Sequence, residues 1–354
     1  MNSDSPSGQS SFSVVVTSIS APNAALAEIA ARCKERDDSF WVVGDVSSPS
    51  SFQLDGCRFL SIQDQVETGF RLSALCPLRH YARKNIGYLA AMRAGARILV
   101  ETDDDNFPTS EFWGPRRIAW NAPVVRSAGW VNVYRYFSGA RIWPRGLPLD
   151  ALGDAVPPLQ SLPSANCICP IQQGLANSNP DVDAIYRLVL PLPLQFDRIG
   201  ALALSAGAWC PFNSQNTTWF PEAFALLYLP AFCSFRMTDI WRSFIAQRIA
   251  WENGWSVLFH DATVLQQRND HDLMRDFADE VPGYLNNRRI AETLGSLTLR
   301  PGRLGIPENL LRCYEAMVRM DLVGKREIAL VEAWNQDLYE LAQSQNPHPV
   351  SKHD

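Results

Sequence analysis

Arg97-Ile98-Leu99-Val100 runs through Glu101 and Thr102 straight into Asp103-Asp104-Asp105-Asn106. A buried strand that ends in three adjacent carboxylates leaves few folds open. The apolar run needs a layered core around it. The carboxylates need water, donors or a cation, because like charges a few ångströms apart repel and shift one another's pKa. An open α/β sheet meets both demands, since the carboxyl ends of its strands border the ligand crevice. A hard divalent cation neutralises such a cluster through oxygen ligands, and Mg²⁺ binds through one or two carboxylates plus substrate phosphates. The run therefore reads as a metal–diphosphate site of a nucleotide-sugar enzyme. The plain alternative is a solvated acidic turn capping a helix.

The flanking pattern supports the sheet. Phe12 to Ile19 is β-branched and reads as a first strand. Asn23 is placed to N-cap a helix over 24–36, and Phe40 to Val43 forms a second strand ending at Gly44-Asp45. A helix over 81–94 stops at Gly95, and the strand from Arg97 follows. This alternation predicts a doubly wound, mostly parallel α/β sheet flanked by helices. Its polar strand ends, Thr17-Ser18, Gly44-Asp45 and the Asp run, then gather along one edge. Residues 108–170 are rich in Trp, Pro and Gly and read as irregular substrate loops with short strands. A short helix starts near Pro180, a longer one covers 238–253, and a strand over 255–259 ends at His260. From Asp272 the chain is amphipathic helix, broken at Pro282-Gly283 and Pro301-Gly302. The expected division is a Ser-rich disordered tail (1–11), a catalytic domain (12–270), a C-terminal helical appendage (271–343) and a frayed end (344–354).

The 354 residues carry a net charge of −5 without a Lys/Arg block, which argues against a nucleic-acid partner. No apolar stretch approaches the ~20 residues that span a bilayer. The polar start lacks a basic region and an apolar core, so it does not read as a signal peptide. Eight scattered cysteines form no C-x-x-C pair, and Cys167-Ile168-Cys169 is too tight for a relaxed disulfide. The expected compartment is the reducing cytoplasm.

Several further stretches join the Asp run: Arg83-Lys84-Asn85-Ile86-Gly87-Tyr88-Leu89, Gly129-Trp130-Val131-Asn132-Val133-Tyr134, Trp143-Pro144-Arg145-Gly146, Pro211-Phe212-Asn213-Ser214-Gln215-Asn216-Thr217 and Phe235-Arg236-Met237-Thr238-Asp239-Ile240-Trp241-Arg242. Together they resemble the STELLO-type glycosyltransferases over roughly 12–285. That resemblance implies a GT-A fold and a more distant similarity to the reversibly glycosylated polypeptides that act as UDP-arabinopyranose mutases. Plant members carry an N-terminal membrane anchor, which is not expected here.

The resemblance makes Asp103 and Asp105 a DxD pair for Mn²⁺ or Mg²⁺ bridging the diphosphate of a donor, most simply a UDP-sugar. Asp104 supports the metal or contacts the sugar, and Asp239 is the candidate catalytic base, or else opens its helix as a cap. Thr17, Ser18 and Asp45 sit where base and ribose bind, although Asp45 is equally able to cap its own turn. Arg83, Lys84 and Asn85 open a helix suited to phosphate or a base edge, against the reading of ordinary helix charges. Gly87 permits close packing against a strand or the nucleotide. His260 is a candidate third metal ligand, with Asp261 and His271 as competitors and a structural histidine as the bland reading. Trp143 (or one of Trp130, Trp209 and Trp219) suits a sugar face, and Asn213, Gln215 and Asn216 suit sugar hydroxyls or a turn. Arg145 suits a phosphate or acceptor group.

The favoured reading is a metal-dependent glycosyltransferase of the cytoplasm acting on a glycan or lipid-linked acceptor, a lipid-linked one allowing peripheral contact with a membrane. The alternatives are a self-glycosylating nucleotide-sugar mutase and a non-catalytic partner of a polysaccharide-synthesis complex.

Overall fold

The computed structural model describes residues 12–269 and 272–345. The expected N-terminal tail, His271 and nearly all of the expected frayed end lie outside the described residues. Strand β1 (Phe12–Thr17) leads through α1 (Ala24–Arg36) to β2 (Ser39–Val43) and β3 (Arg58–Leu60). Short helices α2 (Ile62–Glu67) and α3 (Arg71–Leu75) precede α4 (Lys84–Arg93) and β4 (Ile98–Thr102). The Trp- and Pro-rich stretch holds β5 (Asn106–Pro108), β6 (Ala119–Val125), β7 (Gly129–Trp130), α5 (Tyr134–Phe137) and β8 (Ser164–Ile168). There follow β9 (Ile171–Asn177), α6 (Ala184–Val189), β10 (Ala201–Leu204), β11 (Ala208–Trp209), β12 (Asn216–Trp219), α7 (Thr238–Glu252) and β13 (Val257–Gln266). Helices α8 (Leu273–Ser296), α9 (Ile306–Arg319) and α10 (Glu327–Gln345) are the last elements of the described residues.

The main sheet runs β3-β2-β1-β4-β12-β9-β13-β10-β6-β8, with β5 pairing on β13. Its first four strands are all parallel, and antiparallel pairs enter only at β12 and beyond. Parallel strands need cover on both faces. Accordingly Val14, Val15 and Val16 are all buried, with α1 on one side and α4 on the other. Asn23 caps α1 as expected, its Oδ1 accepting from Leu26 N at 2.9 Å. Every α4 residue from Lys84 to Met92 is buried. Gly87 explains how α4 comes so close: a Cβ there would meet Val43 Cγ2 at 2.4 Å and Val15 Cγ1 at 2.9 Å. It packs helix on strand, the first of its expected uses, and is not among the residues that line the cavity at the strand ends. This mixed α/β sheet, flanked by helices and followed by a helical C-terminal region, agrees with the GT-A-like arrangement.

Two local expectations fail for identifiable reasons. Helix α8 runs unbroken through Pro282, because both of its halves are tied down. Glu280 accepts from Ala184 N at 2.7 Å and from Arg236, and Asn287 bonds Trp241 Nε1 and Gly146 O. Those anchors outweigh the one backbone bond a proline removes. Strand β13 does not stop at His260 but continues to Gln266, because β9 and then β5 keep pairing with it.

Behind the Asp run lies a buried charge. Glu101 of β4 is fully buried and accepts from Tyr88 Oη of α4 and from Trp219 Nε1 of β12 at 2.8 Å. Arg242 of α7 donates through Nη1 to Glu101 Oε2 at 3.0 Å, and its Nη2 lies 2.8 Å from Oε1. Removing one partner of such a pair leaves an uncompensated charge in the interior, which costs roughly 3–5 kcal/mol. We therefore expect Glu101→Ala to lower unfolding free energy by about that amount, measured by urea denaturation. A loss below about 1 kcal/mol would show that water reaches Arg242.

Candidate functional site

The carboxyl ends of β1, β2 and β4 open into a cavity of about 660 Å³. Its lining includes Thr17, Ser18, Gly44, Asp45 and His80, the three aspartates, and a charged group of Arg145, Asp181, Arg187, Arg236, Asp239 and Arg268. The strand-end argument thus brings together three separate stretches of sequence, Thr17-Ser18, Gly44-Asp45 and the Asp run.

Each aspartate of the run has a different surrounding. Asp103 Oδ1 accepts from Tyr81 Oη at 3.0 Å and from Lys84 Nζ at 3.2 Å. Lys84 is wholly buried and also donates to Thr102 O at 2.7 Å. Burial raises the Asp103 pKa, and the ammonium of Lys84 opposes it. Asp104 Oδ2 accepts from Ser18 Oγ at 2.6 Å, and its backbone carbonyl accepts from Asn23 at 2.7 Å. Asp105 Oδ2 accepts from Gln266 Nε2 at 3.0 Å, but its Oδ1 is buried with no hydrogen-bond partner. Burial and then the charges of Asp103 and Asp104 push the Asp105 carboxyl up to about 7.

That orphaned oxygen is the feature a bound cation would explain. Among the described residues no three His, Cys, Asp or Glu side chains converge into a metal cage. Two carboxylates with an open side nonetheless suit an ion whose remaining ligands are phosphate oxygens and water.

Asp45 accepts from His80 N at 2.9 Å and from Val46 N at 2.7 Å, so it shapes its own loop while facing the cavity. Gln215 also faces the cavity and bonds Asn106 at 3.3 Å. Arg145 and Asp239 meet there. Arg145 is clamped by Asp181 (2.8 and 3.0 Å) and Asp239 (3.0 and 2.9 Å), and it also donates to Arg236 O. Burial by itself would raise the Asp239 pKa, but Arg145 overrides it and holds the carboxyl down at about 2. Asp239 also accepts from Ser214 N at 3.2 Å. With both oxygens engaged, it is a poor proton acceptor.

Other expected site residues sit elsewhere. Arg83 touches the cavity, but its Nε donates to Gln65 Oε1 at 2.7 Å and its Nη1 to Cys76 O at 2.9 Å. Asn85 points to Leu229, donating to its carbonyl and accepting from its N–H, so it ties loop to helix. Trp143 is buried against Tyr186 with its Nε1 on Asp183, and none of Trp130, Trp143, Trp209 and Trp219 lines the cavity. Asn213 binds the backbone of Gln215, and Asn216 binds Leu175 O and Thr263 inside the sheet. His260 lies mid-strand between β9 and β10, outside the cavity lining. Burial, helped by Arg116, lowers its pKa to about 4, and its Nδ1 faces Asp261 O at 3.0 Å. The competitor Asp261 is used by Ile199 N and Gly200 N.

The cavity also holds residues the motif reading passed over: Tyr81, His80, Asp181, Arg187, Gln266 and Arg268. Tyr81 and Gln266 give no one-dimensional signal, since each acts only by touching an aspartate. Asp181 reads locally as a helix-dipole acid, whereas Asp183 is the actual cap of α6, accepting from Tyr186 N at 2.7 Å.

A family model of STELLO glycosyltransferases matches residues 236–349. The chain is 29% identical to the probable glycosyltransferase STELLO2 of Arabidopsis thaliana over 315 residues, 84% of this chain and 41% of that protein. It is 28% identical to the probable glycosyltransferase STELLO1 of the same plant over 330 residues, 88% of this chain and 42% of that protein. The chain thus spans less than half the length of these relatives.

The raised Asp105 pKa has a defined consequence for pH. Between about 4 and about 7 the folded chain keeps a proton on Asp105 that the unfolded chain has lost. Stability from this group therefore falls as pH rises through that window and does not recover above it. Asp105→Asn removes the liability. It should raise the metal-free Tm relative to wild type at pH 8 and leave it little changed at pH 4. Melting curves across pH check this, and equal Tm values at pH 8 would mean that Asp105 is hydrated and unstrained.

Proposed function

We propose that the chain is a STELLO-type glycosyltransferase moving a sugar from a nucleotide-sugar donor, most simply UDP-linked, to a carbohydrate or lipid-linked acceptor. The observation that carries the reading is the unpartnered Asp105 Oδ1 beside Asp103 in a cavity bordered by strand ends. Thr17, Ser18 and Asp45 receive base and ribose at the β1–β2 end. Asp103 and Asp105 hold the divalent cation, Mn²⁺ or Mg²⁺. When bound, that ion supplies positive charge that offsets the diphosphate and stabilises it as a leaving group.

This chain's own residues do the rest. Lys84, locked beneath Asp103, keeps that carboxylate oriented and prevents its protonation from rising unopposed. Ser18 fixes Asp104 toward the nucleoside end. Arg145 spends its guanidinium on Asp181 and Asp239, which fixes it as part of the cavity wall. The same clamp disfavours Asp239 as an inverting base. With that carboxylate engaged, a retaining course driven by leaving-group stabilisation fits better.

A thermal-shift panel of UDP, GDP, CDP, CMP and dTDP, each with and without Mn²⁺, tests the donor site. We expect stabilisation by UDP only when metal is present, approaching about 2.7 kcal/mol at a hundredfold excess over Kd. Asp105→Ala should abolish that shift and reduce transfer by about 100-fold or more, because a metal's charge stabilisation is worth several kcal/mol. Full metal-dependent transfer by Asp105→Ala would sink the proposal. No shift with any nucleotide would favour a non-catalytic partner.

A further inference from the structure

The cavity has a basic lobe that a metal-held diphosphate leaves unused. Arg187 of α6 and Arg268, just past β13, line it beside Arg236. Arg236 is satisfied by Glu280 at 2.9 and 3.0 Å. Arg268 Nη2 donates to Asp276 at 2.6 Å, but its Nε is a buried donor without a partner. Arg187 is barer still. Among the described residues it makes no ion pair, its Nη2 donates only to Pro180 O at 2.8 Å, and its Nε is likewise buried and unpartnered. Burial first, and then Arg268, lowers the Arg187 pKa to about 10, so it stays charged at neutral pH. Two half-satisfied guanidiniums that repel each other in a cavity wall are costly unless an anion visits them. Their planar forks are matched to the paired oxygens of a phosphate or carboxylate.

Their position separates them from the nucleoside end. Asp45 and Ser18 follow the ends of β2 and β1, the Asp run follows β4, and β9 and β13 lie beyond it in the sheet, leading to α6 and Arg268. Gln266, two residues before Arg268, is the side chain that meets Asp105. The basic lobe therefore begins where the diphosphate would end, on the side of the transferred sugar and the acceptor.

We propose that Arg187 and Arg268 form a subsite for an anionic group, phosphate or carboxylate, borne by the transferred sugar or by the acceptor. This rests on reading the cavity as a nucleotide-sugar site. Arg187 is the principal ligand and Arg268 its partner, with Asp276 holding Arg268 at 2.6 Å.

The test is calorimetric titration of inorganic phosphate into the protein saturated with UDP and Mg²⁺. Phosphate should bind as an additional ligand, and Arg187→Gln should weaken it about tenfold or more while changing UDP affinity less than about twofold. Arg187→Lys, which keeps the charge, should retain part of the affinity, and matching melting curves verify that each variant is folded. Phosphate that displaces UDP one for one, or an Arg187→Gln that weakens UDP itself, would assign these arginines to the diphosphate and overturn the proposal. Phosphate binding untouched by both Arg187→Gln and Arg268→Gln would also overturn it. If no nucleotide binds, the donor reading fails on its own, and phosphate titrated into the free protein still reads the subsite. Comparing UDP-glucose with UDP-glucuronate separates the two sources: tighter, Arg187-dependent binding of the glucuronate places the anion on the sugar. Equal binding of both, with phosphate still accepted on top of UDP-glucose, places it on the acceptor.

Discussion

The ion pair between Glu101 and Arg242 is the constraint on which the site depends. It joins α4, β4, β12 and α7 at one buried point, through Tyr88, Glu101, Trp219 and Arg242. Glu101 is two residues before Asp103, and Arg242 is three residues past Asp239, one turn along the same helix. A single interior charge therefore sets both the depth of the Asp run and the orientation of the helix that faces it. A hydrophobic replacement of similar volume can match such a pair in stability. It would not match the fixed approach of the two guanidinium nitrogens to the two carboxylate oxygens, which sets how α7 meets β4.

Charge is managed differently on the two sides of the cavity. On the β4 side negative charge is in excess: Lys84 offsets Asp103, and Asp105 carries a strained carboxyl. On the α6–β13 side four arginines meet four acids, yet the pairing is uneven, since Arg145 takes two aspartates and Arg187 none. This polarisation suits a substrate whose charge changes along its length.

Much of the framework was legible because it follows local rules. The α1 boundaries and its Asn23 cap, the parallel order of the first strands, and the gathering of Thr17-Ser18, Asp45 and the Asp run all follow from periodicity and strand-end chemistry. The candidate residues that lie apart from the cavity share a feature. Trp143, Asn213, Asn216, Asn85 and His260 carry chemistry suited to ligands, yet each is spent on the protein's own backbone or side chains. Residue type cannot reveal which partner a side chain finds at long range. Conversely, Arg187 and Arg268 look like ordinary surface charges in one dimension, and only the fold exposes their missing partners.

The C-terminal helices matter to more than their own packing. Asp337 of α10 accepts from Arg71 N and Leu72 N at 3.0 Å, so it caps α3, which has no side-chain cap of its own. Glu327 likewise receives Tyr228 Oη and the N–H groups of Ala231 and Phe232, in the loop that leads to α7. During synthesis on the ribosome, the first strands and helices emerge long before the residues that complete them. The early chain must then wait with an uncapped helix and an unanchored loop until α10 has been made, so the cavity matures only after a helix about 250 residues downstream of α3 is in place.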